Sequence, residues 1–196
     1  MIVILIRHGK TKGNLEHRYV GTTEESLCEE GIQILKEYKE KGLYPEVDSI
    51  YISPQLRCVE TAGILYPNRE YITCPDFREC NFGEFEYKNY MELKDNANYQ
   101  KWIDSNGTMD FPGGEGVSDF KIRCQQGFEQ MISSSKKEKL AFLIHGGTIM
   151  SILHKFAIPH KDYYDWQIGN GEGFIAKVAA DRKSLEIIDT IKITFN

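Results

Sequence analysis

A chain of 196 residues, 41% hydrophobic and 27% charged, fits one well-buried domain and excludes disordered and fibrous classes. Its formal net charge of -5 excludes a general nucleic-acid binder, whose surface must be basic, but not a small phosphorylated substrate held by a few clustered arginines. Five cysteines, an odd number without zinc-ligand spacing, read as free thiols of a cytoplasmic protein; no leader peptide precedes the first apolar run and no stretch approaches membrane-span length.

The chain opens on Ile2-Val3-Ile4-Leu5-Ile6, mostly β-branched and without polar alternation, the pattern of a strand buried on both faces. It stops at Arg7-His8-Gly9, which puts these residues at the C-terminal end of a parallel strand, where open α/β sheets bind ligands. Gly9 is read as room for the backbone to approach a ligand. A polar stretch covers residues 10–21. A charged helix then starts within residues 26–31, carries an apolar stripe at Ile32, Leu35 and Tyr38, and ends near Gly42. Glu24, Glu25, Glu29 and Glu30 read as a solvated face that suits the helix N-terminus. Residues 48–52 form a predicted strand, with Ser53 as N-cap and Pro54 in the first turn of a second helix. Residues 71–74 read as a short strand closed by Pro75.

Residues 77–111 are rich in aromatics and asparagines, with helical patches only near Tyr90 and Trp102. With the turn at residues 112–116 they are expected to form a cap over the sheet edge. Phe82, Phe85, Tyr87, Tyr90, Tyr99, Trp102 and Phe111 read as the small core of that cap in preference to a surface for stacking a substrate ring. A long amphipathic helix is predicted from Val117 through Met131, with Ser133-Ser134-Ser135 as a loop. Leu140-Ala141-Phe142-Leu143-Ile144 repeats the opening pattern and runs into His145-Gly146-Gly147, with a helix over residues 148–156. Residues 174–180 and 185–195 are predicted strands joined at Asp181-Arg182-Lys183, with alternation at Ile191, Ile193 and Phe195. Strands alternating with helices predict an α/β fold: three layers, α/β/α, a mostly parallel central sheet, and one domain over residues 1–196 with a small cap or lid insertion at about 77–116.

Arg7, His8, Arg57 and His145 fall at strand ends or helix starts, with Thr11, Asn14 and a glycine beside each histidine. Two cations, two imidazoles and exposed backbone N–H groups suit a phosphoryl dianion, which arginine grips through its planar fork. A histidine that attacks phosphorus must be neutral, one ring nitrogen held as donor and the other lone pair free; neighbouring arginines favour that state. The leaving alkoxide then needs an acid, which composition alone does not pick from 29 Asp and Glu residues.

The segment Arg7-His8-Gly9-Lys10-Thr11-Lys12-Gly13-Asn14 resembles the arginine-histidine-glycine signature of the histidine phosphatase superfamily, in the branch of phosphoglycerate mutases and α-ribazole phosphatases. Residues 19–31, 53–62, 77–86, 113–123 and 144–149 resemble further segments of that family in its order, covering nearly the whole chain. The resemblance implies His8 as nucleophile and Glu79 as acid and then base. Arg7, Arg57 and His145 would hold phosphoryl oxygens, with Asn14 and the Gly146 amide nearby. Thr11, Gly21 and Phe82 are candidate substrate contacts. It implies no metal and no organic cofactor, a small phosphorylated substrate, and neither nucleic acid nor membrane as partner; the oligomeric state is not legible. Lys10 stands where the family usually has glutamate and adds charge near the mouth, and Tyr87 stands where a glycine often closes the acid-bearing segment. The compact interval between Glu79 and His145 favours a phosphomonoester hydrolase over the alternatives, a mutase-type phosphoryl transferase or a noncatalytic phosphate-binding module. His17, His154 and His160 read as surface or satisfied histidines without metal-ligand spacing, and Gly113, Gly114 and Gly116 as a plain turn lacking the lysine of a nucleotide loop.

Overall fold

A computed structural model describes residues 1–193; Phe195 of the expected last strand lies outside the described residues. Among these, seven strands form one sheet: β1 Ile2–Arg7, β2 Ser49–Ile52, β3 Ile72–Thr73, β4 Lys139–Ile144, β5 Ala157–Ile158, β6 Gly173–Val178 and β7 Leu185–Ile191, in the order β3-β2-β4-β1-β6-β7-β5. The helices are α1 Lys12–Leu15, α2 Glu29–Glu40, α3 Leu56–Leu65, α4 Tyr90–Leu93, α5 Ala97–Asp104, α6 Val117–Ser134 and α7 Gly146–Phe156. Strands β1, β4, β2 and β3 run parallel, as do β5 and β7, while β6 is antiparallel to both β1 and β7. The register pairs Arg7 with Ile144, and the His8 N–H donates to Ile144 O at 2.9 Å, so the two buried strands end together. His8 and His145 thus emerge side by side.

The unbroken apolar runs follow from having a core on each face of the sheet. Val3, Leu5, Leu140 and Phe142 pack against Phe128 and Ile132 of α6 and Ile149 and Ile152 of α7. Their alternates Ile4, Ile6, Ala141 and Leu143 pack against Leu35 and Tyr38 of α2 and Ala62 and Leu65 of α3. This is the three-layer α/β/α arrangement with a mostly parallel sheet. A third cluster, separate from both, gathers Phe85, Leu93, Tyr99 and Phe111 with Phe120 and Cys124 of α6. The asparagines of residues 77–116 have a local purpose: Asn89 and Asn96 cap α4 and α5, accepting from the N–H groups of Glu92 and Tyr99.

Several boundaries differ from the sequence expectation, the first of them because a side chain finds another partner. Ser53 is not the cap of α3: Gln55 holds that position without a side-chain cap bond, and the Ser53 hydroxyl is turned to His145. Ser133 and Ser134 lie in α6, where the Ser134 hydroxyl donates to Gln130 O at 2.8 Å instead of ending the helix. The polar stretch holds α1, closed by a reciprocal cap between Thr11 and Asn14. Helix α7 starts at Gly146, two residues early, and β7 ends at Ile191, with Ile193 buried beyond the strand.

Candidate active site

The ends of β1 and β4 form the floor of a cavity of about 300 Å³, whose wall includes Arg7, His8, Asn14, Glu79 and Gly146 on one side and Tyr19, Phe82, Trp102 and Phe111 on the other. The His8 ring is buried, and its Nδ1 lies 2.7 Å from Gly9 O. A carbonyl oxygen only accepts, so Nδ1 carries the proton and Nε2 keeps its lone pair. Burial, then the positive charges of Arg57 and Arg7, hold the imidazole well below its ordinary 6.5. Asn170, which sequence reasoning did not single out, braces this turn by donating from Nδ2 to His8 O at 3.1 Å and to Asn14 Oδ1 at 3.0 Å. Asn14 Oδ1 also accepts from the Thr11 N–H, which leaves the Asn14 amide nitrogen as its donor face.

Arg7 is anchored by Nη1 donating to Ile168 O at 2.7 Å, while its buried Nε has no acceptor among the described residues. A Cβ on Gly146 would stand 3.4 Å from the Arg7 guanidinium, so the first turn of α7 sits directly against it.

Glu79 reaches the same cavity from the segment after β3. Its Oε1 accepts from the Cys80 N–H at 3.0 Å and its Oε2 from the Gly147 N–H at 3.2 Å. Burial raises its pKa above 4.5, against the opposing pull of those N–H groups and of Arg57 and Arg7. A Cβ on Gly147 would lie 2.5 Å from Oε1, so a side chain there would displace the acid. Gln55 aligns the segment from behind, accepting from the Glu79 N–H at 2.8 Å and donating to Gly21 O at 2.7 Å.

Arg57 and His145 stand one layer behind the wall, both fully buried. The Arg57 guanidinium donates to the carbonyls of Thr23 and Gly21 and, through Nε, to His145 Nδ1 at 3.3 Å. His145 Nδ1 is therefore an acceptor, and Nε2 carries the proton toward Ser53 Oγ at 2.8 Å. Burial first and Arg57 second keep this imidazole, too, well below 6.5. The His8 and His145 ring centroids are 5.2 Å apart.

Thr11 and Gly21 lie outside the cavity wall. The Thr11 hydroxyl donates to Glu25 at 2.7 Å, and the Gly21 carbonyl is taken by Arg57 and Gln55. Phe82 does line the cavity, edge-on to Phe111 at 5.0 Å, so the aromatic cluster is a core on one side and a wall on the other. Glu25 is not a solvated residue: it also accepts from the Gly13 N–H and the Tyr87 hydroxyl. Tyr87 itself occupies φ 58°, held by that bond and by the Arg18 guanidinium 5.1 Å above its ring, in place of a glycine. Lys10 pairs with Glu30 at 2.6 Å and does not line the cavity, and a Cβ on Gly9 would stand 2.6 Å from the Leu35 side chain of α2. His154 Nδ1 meets Lys161 O at 3.4 Å on the far side of α7. Among the described residues no three metal-ligating side chains converge, and no helix is long and apolar enough to cross a membrane.

A family model described as "Histidine phosphatase superfamily (branch 1)" matches residues 3–190. Phosphoglycerate mutase-like protein 4 of Arabidopsis thaliana is 28% identical over 160 residues, 78% of this chain and 70% of its own length. The adenosylcobalamin/alpha-ribazole phosphatase of Salmonella typhimurium is 23% identical over 172 residues, 85% of each chain. Among solved structures, a putative alpha-ribazole-5'-P phosphatase from Escherichia coli superposes with a TM-score of 0.84 at 20% identity, covering 100% of this chain and 99% of the other, a likeness of fold.

Proposed function

Because this chain belongs to branch 1 of the histidine phosphatase superfamily, we propose that it is a phosphomonoester hydrolase that works through a phosphohistidine at His8. The observation that carries this reading is the His8 ring, neutral, with Nδ1 donating to Gly9 O and Nε2 unprotonated in the cavity wall. The nucleophile is thus prepared before substrate arrives.

The phosphoryl group sits over His8 with its oxygens on the Arg7 guanidinium, the Asn14 amide and the first N–H of α7 at Gly146. Nε2 attacks, the N–P bond forms and the ester P–O bond breaks. Glu79, whose pKa burial raises, donates its proton to the leaving oxygen. The resulting carboxylate then takes a proton from water, whose oxygen bonds to phosphorus as N–P breaks, releasing inorganic phosphate and free His8. Arg57 and His145 act from behind: Arg57 contributes a fixed charge that keeps His8 neutral and stabilises charge developing on the phosphoryl group. His145 fills the space between the guanidinium and Ser53.

The compact interval between Glu79 and His145 supports hydrolysis over return transfer. The chain acts as one catalytic domain, with residues 77–116 as its cap. Five free cysteines fit a reducing, cytoplasmic setting. The test is acid-quench trapping with a ³²P-labelled phosphoester: acid-labile label appears on His8 of the wild type and is absent from His8→Ala. Turnover retained in His8→Ala, or isomerisation of 3-phosphoglycerate with little free phosphate, overturns the reading.

A further inference from the structure

Residues 20–23 belong to no helix or strand, so side chains, not a ladder, decide where their backbone groups point. On one side of this loop stands Glu86, which follows the acid-bearing segment. Its Oε1 accepts from the Gly21 N–H at 2.9 Å, the Thr23 N–H at 3.0 Å and the Thr23 hydroxyl at 2.7 Å, and its Oε2 from the Phe82 N–H at 3.2 Å. On the other side stands Arg57. Its Nη2 donates to Val20 O at 3.4 Å and Gly21 O at 2.9 Å, and its Nη1 to Thr23 O at 2.9 Å. The peptide unit joining Val20 to Gly21 thus gives its N–H to the carboxylate and its C=O to the guanidinium, and each bond in such a chain polarises the next. Gly21 O also accepts from Gln55 Nε2, whose Oε1 accepts from the Glu79 N–H, so the same loop braces the acid.

We propose that Glu86 is a positioning residue of the reaction: by holding the N–H side of the 20–23 loop, it aims the carbonyls that fix the Arg57 guanidinium against His145. The inference rests on the hydrolase reading and adds to it a residue that touches neither substrate nor nucleophile. A peptide unit is planar, so an N–H that turns away from position 86 takes its carbonyl off Arg57. The loop has little room to settle elsewhere, since even a Cβ on Gly21 would collide with Cys80 O and Glu86 Oε2.

The experiment titrates the His8 ring by NMR, which needs no turnover, alongside kcat and KM for a phosphoester. Arg7, Arg57, Glu79 and His145 are the charged and titratable groups facing His8, and among the described residues Arg57 alone of these bonds to the 20–23 loop. Glu86→Ala raises the His8 pKa, because Arg57 drifts and repels its imidazolium less. Loss of the carboxylate's charge by itself would lower that pKa, so the sign separates positioning from a direct charge effect. The same variant lowers kcat by about tenfold, less than removing a fixed donor outright, and leaves KM within about twofold. Glu86→Gln, which keeps the Oε1 acceptor, moves both readings in the same direction by less, and it carries the test if the alanine variant does not fold. Leu93→Ala opens a cavity in the cap cluster without touching the loop, and it lowers Tm while the His8 titration stays in place. In Arg57→Met, adding Glu86→Ala costs less than about twofold more in kcat, because the group it acts through is gone. A His8 pKa unchanged or lowered in both Glu86 variants, or losses that multiply in the double variant, overturns the proposal while hydrolysis through His8 stands. If no phosphoester is turned over and no label reaches His8, the hydrolase reading fails first and this inference falls with it.

Discussion

Beneath the floor of the cavity Arg57 and His145 are fully buried and bonded to each other, to Ser53 and to backbone carbonyls, whereas in the wall Tyr19, Phe82 and Trp102 are half-buried and held mainly by ring contacts. The floor is built at the ends of two adjacent parallel strands, so a displaced atom there disturbs a dry core on either face of the sheet. The wall is built from short helices, one-turn caps and a separate small cluster. The difference teaches that the geometry of phosphoryl transfer is fixed by the most rigid part of the molecule, and the leaving-group chamber by the part freest to change.

The largest expected effect breaks the floor. His8→Ala lowers kcat/KM by at least about 10³-fold and abolishes trapped label, as expected for losing a nucleophile; residual turnover above that level would detach the chemistry from the floor. Glu79→Gln lowers kcat by about 10²- to 10⁴-fold for alkyl esters, the range of general acid catalysis. It costs far less for p-nitrophenyl phosphate, whose leaving oxygen needs no proton, and measuring both esters separates proton donation from phosphate binding. Trp102→Ala, in the wall, raises KM for a ring-bearing ester by about tenfold. It leaves the yield of phosphohistidine at saturating substrate unchanged; a loss of phosphohistidine would erase the distinction between the regions.

The smallest effect is one of pH. His8 must be unprotonated to attack and is held well below 6.5, so kcat/KM stays level as pH falls through 6.5 and declines only further down. Glu79 must be protonated to donate and is raised above 4.5, so the alkaline decline marks its ionisation. In Arg57→Met, His8 loses a repelling charge and its pKa rises, moving the acid decline to higher pH. Titration of the His8 ring by NMR in both proteins checks the direction.

Much of this was legible in the sequence where a residue's neighbours in the chain decide its state. Ile2 through Ile6 and Leu140 through Ile144 read as buried on both sides, and the pairing of those two strands brings Arg7, His8 and His145 to one sheet edge. The sequence did not show the partners that lie far along the chain. Asn170, Gln55 and Ser53 each carry a side chain that also suits a turn or a cap, and only the assembled sheet brings them to His8, Glu79 and His145. Thr11, placed beside the signature by sequence, is drawn into capping α1 and bonding Glu25.

What the sequence determined by itself is two doubly buried strands, each ending in a histidine and a glycine suited to a phosphoryl group, with the reaction implied by the resemblance of their flanking segments to a family. Tertiary structure alone decided which nitrogen of each histidine carries its proton and that Arg57 stands behind the wall. Those outcomes depend on hydrogen-bond distances and burial between residues remote in the chain, quantities that no local pattern encodes.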